Sequence, residues 1–130
     1  MDFHTFQVNL GLAWLWIIVG FVSGFVLGSY FHREEWLGGY TSFKRRLYRL
    51  AHISFFGMAI VNLAFCFSVQ QLTSNLLLSV ASWGFVVGGI SMPACCFAMA
   101  HNPRLRSIFL IPVLSLILAG SITFVEVTGL

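Results

Sequence analysis

Arg45, Arg49 and His52 fall at i, i+4 and i+7, which on a helix is a single stripe. Their types suit a cofactor: neutral imidazole is an axial ligand for haem iron, and guanidinium groups pair carboxylates in forks. His101 stands three residues before Arg104, and His32 directly precedes Arg33. The stripe therefore reads as one side of a bis-histidine haem b site. His52 and His101 are the expected ligand pair, His32 is the substitute, and Arg45 and Arg49 would hold the propionates. Phe55, Phe56 and Met99 would supply apolar walls. Two other chemistries fit the same residues. His52 and Arg49 could hydrogen-bond a quinone headgroup, and His101 with Cys95 or Cys96 could hold copper, although that spacing matches no strong ligand motif. The plain reading is that histidine and arginine here anchor helix ends at a membrane surface.

The elements that must position these residues are membrane helices. Hydrophobic residues make up 58% of the chain and charged residues 8%, against roughly 45–50% and about 25% in soluble domains. So few charges cannot coat a water-exposed surface, whereas lipid tolerates an apolar exterior. Apolar runs at about 8–31, 47–69, 76–100 and 107–127 are each long enough to cross a hydrocarbon core of roughly 30 Å. They lack the period of two of a barrel strand. The expectation is an all-α integral membrane protein, one domain over residues 1–130, folded as an antiparallel bundle of four transmembrane helices with short loops.

The first loop holds Arg33, Lys44, Arg45, Arg46 and Arg49, and the third holds Arg104 and Arg106, which accounts for all seven Lys and Arg residues. Both loops fall on one side, so the positive-inside rule makes that side cytoplasmic and puts both termini and the 70–75 turn outside. A bacterial inner membrane is the expected setting. Met1 to His4 contains no Lys or Arg, so the first segment reads as a retained span rather than a cleaved signal. Trp14 and Trp16 are expected in an outer aromatic belt. Gly38-Gly39 marks a turn, and Thr41 or Ser42 is the expected N-cap of an interfacial entry into the second span.

Gly20, Gly24 and Gly28 form two overlapping G-x-x-x-G units, and Gly84 and Gly88 form another. Such stripes let backbones approach, either within the bundle or against a partner subunit. Asn62 is expected to hydrogen-bond across helices, since an unpaired amide is costly in hydrocarbon. Pro93 and Pro112 should kink their helices and could splay a pocket. Glu126 is read as a carboxylate at the outer interface, on the same side as Asp2 and His4. The three cysteines form neither C-x-x-C nor C-x-x-C-H, which argues against a zinc framework and covalent haem. No phosphate loop, triad or zinc helix occurs, so no stand-alone enzyme is read. A transport path would need polar groups at mid-membrane and an internal repeat; Asn62 alone is deep, and no repeat is evident.

Function is therefore read at the level of a small membrane subunit within a larger assembly, with lipid and other membrane subunits as partners and no nucleic acid. In the sharper form it carries haem b in an electron-transfer complex. In the alternatives it is a cofactor-free scaffold or a quinone-binding subunit.

Overall fold

The computed structural model describes the backbone of residues 4–130 and the side chains from Phe6 onward; Asp2 and the His4 side chain lie outside the described residues. Four long helices follow one another: α1 (His4–Ser29), α2 (Phe43–Val69), α3 (Leu76–His101) and α4 (Leu110–Thr128). Short 3-10 helices occupy Trp36–Gly38 and Pro103–Phe109, the second running directly into α4. Each span is long and apolar enough to cross a membrane. The 26 residues of α1 extend about 39 Å, more than the roughly 30 Å required.

The ends of the helices follow local chemistry. Ser42 caps α2, its Oγ accepting from the backbone N–H of Arg45 at 3.1 Å and donating to the Leu37 carbonyl at 2.6 Å. The chain enters α2 through Gly38 and Gly39, both at positive φ, the region in which a Cβ is strained. Asn75 caps α3 through the N–H of Leu78 and reaches Glu126 Oε2 at 2.7 Å, so the far end of α4 is tied to the start of α3. Glu126 is thus held at the end of the bundle remote from the basic loops.

The helices do not close into a ring. Each packs on its neighbour in sequence, α1 also crosses onto α3, and α1 and α4 make no contact among the described residues. Both α2 and α3 touch all the other helices, α2 only slightly at α4, and α3 is the one packed substantially against each of them. Its sequence explains why. Ala81, Ser82, Gly84, Gly88 and Gly89 keep its surface low, so neighbouring backbones come close. A Cβ at Gly84 would lie 2.8 Å from the Ala119 Cβ, and one at Gly88 would lie 2.5 Å from Leu116. On α1, a Cβ at Gly20 would meet the Phe56 ring at 2.7 Å, and one at Gly24 would meet His52 at 2.9 Å. The stripes at Gly20, Gly24, Gly84 and Gly88 therefore face helices of their own chain. Gly28 differs, since nothing stands within 4 Å of its missing Cβ.

Low side chains also uncover backbone carbonyls, and the prolines free more. Proline has no N–H for the carbonyl four residues earlier. Pro93 releases the Gly89 carbonyl, which accepts the Trp16 indole N–H of α1 at 2.8 Å. Pro112 releases the Ile108 carbonyl, which takes the Leu110 N–H and the Cys95 thiol of α3 at 3.5 Å. Trp16, expected in the outer belt beside Trp14, is turned inward because that orphaned acceptor lies there. Both prolines are buried.

At the end remote from the basic loops, three polar side chains meet in the core. Asn9 of α1 donates to Asn62 Oδ1 at 2.8 Å and to the Ser82 carbonyl at 3.1 Å. Ser82 Oγ donates to Asn9 Oδ1, and Asn62 Nδ2 donates to Met58 O. Asn9 and Asn62 are fully buried, so each amide is satisfied by protein. Asn62 was expected to bridge helices; Asn9 and Ser82 are the partners that the sequence did not single out. Below this clasp, Phe65, Val69, Leu78, Ala81, Phe85 and Ala119 form the apolar core.

Three substitutions test this packing. Gly84→Leu should destabilise the fold by about 1–3 kcal/mol, the usual cost of overpacking, whereas Gly120→Leu, with open space at its Cβ, should stay within about 0.5 kcal/mol. Trp16→Phe should cost about 1–3 kcal/mol by stranding the Gly89 carbonyl. Unfolding titrations in mixed micelles measure all three.

Candidate functional site

The residues expected to carry chemistry lie at the end of the bundle that holds both basic loops. Tyr48 of α2 shows that the loops meet there. Its ring contacts Trp36 of the first loop at 6.5 Å, and Phe97 and His101 at the end of α3 at 5.2 and 6.1 Å.

Arg45 is buried, with 1% of its surface exposed, and among the described residues no carboxylate pairs with it. Its guanidinium donates instead to backbone carbonyls of the first loop: Nη1 to Arg33 O at 3.1 Å and Glu34 O at 3.4 Å, and Nη2 to Phe31 O at 3.2 Å. Aromatic faces surround it, with the Tyr40 ring centroid 3.8 Å away and the Phe31 and Trp36 rings at 5.5 and 5.6 Å. Tyr40 Oη donates to the same Phe31 carbonyl. Burying a cation costs several kcal/mol. Hydrogen bonds to a charged group contribute about 1.5–3 kcal/mol each and a desolvated cation–π contact about 2, so the cage can hold the charge. Around it, Trp36 stacks on Tyr30 at 5.2 Å, and Arg33 lies over Tyr30. The result is a compact loop from residue 30 to 42 that leaves Arg33, Glu34 and Glu35 exposed.

Arg49 is half-buried, one turn further into α2, and makes a long bond of 3.4 Å to the Tyr40 carbonyl. The two arginines of the stripe are therefore both directed at the loop backbone.

His52 faces the other way, toward α1. Its Nδ1 lies 2.8 Å from Ser23 Oγ, and that hydroxyl also reaches the Gly20 carbonyl at 2.9 Å. The Phe56 ring meets the imidazole edge-on at 5.6 Å and in turn contacts Phe21 of α1. Ser23 was not foreseen, although the stripe Asn9, Ala13, Trp16, Gly20, Ser23, with alternating steps of four and three, carries the signal.

His101 sits exposed at the end of α3, where Nδ1–H donates to the Phe97 carbonyl at 2.9 Å. His32 is exposed in the turn after α1. The structure thus places three histidines at one end but turns them to different neighbours. Between His52 and His101, the rings of Tyr48, Phe55 and Phe97 pack on one another at this level of the α2–α3 contact. Cys95 and Cys96 are buried free thiols, and among the described residues no three His, Cys, Asp or Glu side chains group as metal ligands.

The Arg45 cage makes a direct prediction. Lysine offers a point charge without the planar fork, so Arg45→Lys should leave loop carbonyls unpaired and raise the open fraction of the loop. Trypsin cleavage after Arg33, followed by mass spectrometry, should accelerate tenfold or more, since cleavage tracks the open population. Arg46→Lys, on an exposed side chain, should change it less than twofold.

No protein-family model, curated protein or solved structure matches the chain, so its role is read from this geometry.

Proposed function

We propose that the chain is a small integral membrane subunit that docks a partner protein through its first loop, at the cytoplasmic face of a bacterial inner membrane. The observation that carries this reading is the buried Arg45 guanidinium engaged by three loop carbonyls. A loop that only linked two helices would need no internal cation. One held in shape before binding loses little conformational freedom when a partner arrives. The loop presents Arg33, Glu34 and Glu35 together, a mixed-charge surface that suits a partner surface of complementary charges.

The helices support the same assignment from the other direction. Their outward faces carry Leu15, Ile18, Phe21, Val22, Leu114 and Ile117, large side chains that match lipid, while most of the small residues that bring membrane helices together are engaged within the chain. The loop is thus the recognition element and the bundle is its anchor. All seven basic residues lie at the loop end, which by the positive-inside rule faces the cytoplasm with both termini outside.

A photocrosslinking residue placed at Glu35, and as a control at Leu114, tests this in native membranes. The expected outcome is one discrete protein adduct from position 35, reduced at least tenfold by Arg45→Lys, and only lipid adducts from position 114. Absence of a protein adduct at 35, or an adduct indifferent to Arg45→Lys, would overturn the proposal.

A further inference from the structure

Among the polar groups of the spans, His52 Nε2 stands apart. It makes no hydrogen bond to any described residue, while the other ring nitrogen is held by Ser23. Among the described residues no buried side-chain nitrogen or oxygen lacks a partner, so Nε2 opens onto the molecular surface. His52 lies nine residues into α2, about 13 Å along the helix. The surface it opens onto is therefore within or at the edge of the lipid.

Hydrogen bonding determines what Nε2 offers. The Ser23 hydroxyl has one proton, and the Gly20 carbonyl at 2.9 Å can only accept it. When that proton is directed at the Gly20 carbonyl, Ser23 Oγ accepts Nδ1–H of His52 and Nε2 is left as a bare lone pair. Ser23 thus holds the ring orientation, as an outer partner does for a ligating imidazole.

The surroundings determine what can reach that lone pair. Gly24 lies under the imidazole, its missing Cβ 2.9 Å from Cε1 and 3.5 Å from Nε2, so the ring rests on the backbone of α1. One turn further, Gly28 is exposed with nothing within 4 Å of its missing Cβ. The Phe21 and Phe56 rings, in edge contact at 5.3 Å, bound the seam on the other side. The result is a patch of uncovered backbone at Gly28 one turn from the imidazole, with the Phe21 and Phe56 rings packed along the same seam.

We infer that this α1–α2 seam, from Gly24 and Gly28 to His52, binds the ring of a lipid-soluble quinol, whose hydroxyl donates to His52 Nε2. The ligand must partition into lipid, present a donor and be planar, and a hydroxylated aromatic ring with an isoprenoid tail meets all three demands. The oxidised quinone has only carbonyl acceptors at its ring, so it is the weaker ligand of this tautomer. The inference is independent of the docking role of the loop.

The full chain in lipid nanodiscs, with 15N-labelled histidine, provides the test. Short-chain ubiquinol and menaquinol are titrated in turn, each against its oxidised form, while the His52 Nε2 resonance is followed. The expected result is a saturable shift with at least one quinol and affinity at least tenfold weaker for its quinone. Gly28→Leu covers that patch without meeting a neighbour and should weaken binding at least tenfold, while Gly120→Leu should leave it unchanged. The inference is overturned if neither quinol shifts the resonance, if quinone binds as tightly as quinol, or if Gly28→Leu binds like the native chain. A b-type absorbance band in the purified protein that disappears in His52→Phe would also overturn it, because haem iron would then hold Nε2.

Discussion

Hydrocarbon supplies no hydrogen-bond partners, so every backbone polar group inside the bilayer must be satisfied by protein. The bond from Trp16 to the Gly89 carbonyl is where this constraint shapes the molecule most. Pro93 removes the normal donor, and an indole from another helix replaces it. The same solution recurs along α3. Asn9 donates to Ser82 O, Ser115 Oγ donates to Gly84 O at 2.7 Å, and Cys95 supplies a thiol to Ile108 O on the way into α4. Small residues on α3 expose its carbonyls and bring the donors of α1 and α4 within reach. Without a hydrophobic force between helices in lipid, these bonds and the contacts that accompany them set which helices neighbour which.

That constraint also explains what could be read in the sequence. The four spans, the basic ends, the Ser42 cap and the bridging role of Asn62 follow from residue type and local spacing. The structure adds a turn or so at some ends, with α2 starting at Phe43 rather than 47 and a 3-10 stretch leading into α4. Partners were harder to read because they depend on helix rotation. A span that is apolar all round gives little periodic signal, since lipid and core select similar residues. Only polar and small residues mark the inner face, as the α1 stripe from Asn9 to Ser23 does. Trp16 belongs to that stripe, but tryptophan is equally at home in an interfacial belt. The sequence position of the prolines, four residues after Gly89 and Ile108, is the cue that resolves it.

Arg45, Arg49 and His52 show the limit of spacing as a guide to chemistry. They occupy one stripe as expected, yet they serve different elements, because long side chains reach several ångströms along the helix. The arginines extend toward the loop, where carbonyls at the end of α1 need donors. The shorter imidazole stays in the seam beside the glycines of α1. Common placement on a helix face therefore does not give the three side chains common partners within the chain.

The contrast between Arg45 and His52 bears on which of them acts. A buried polar group with every partner supplied by its own chain has nothing left to offer a ligand; its effect is to hold a shape. Arg45 meets that description, which is why the loop it shapes, rather than the guanidinium, is the candidate for recognition. His52 is held at one nitrogen and open at the other, an arrangement that fixes geometry while leaving one hydrogen-bonding position of the ring unused. Packing alone does not call for that combination, because phenylalanine would fill the seam with no polar atom to satisfy. A side chain whose orientation is specified and whose other nitrogen opens onto the surface of a span has one polar atom left for a partner outside the chain.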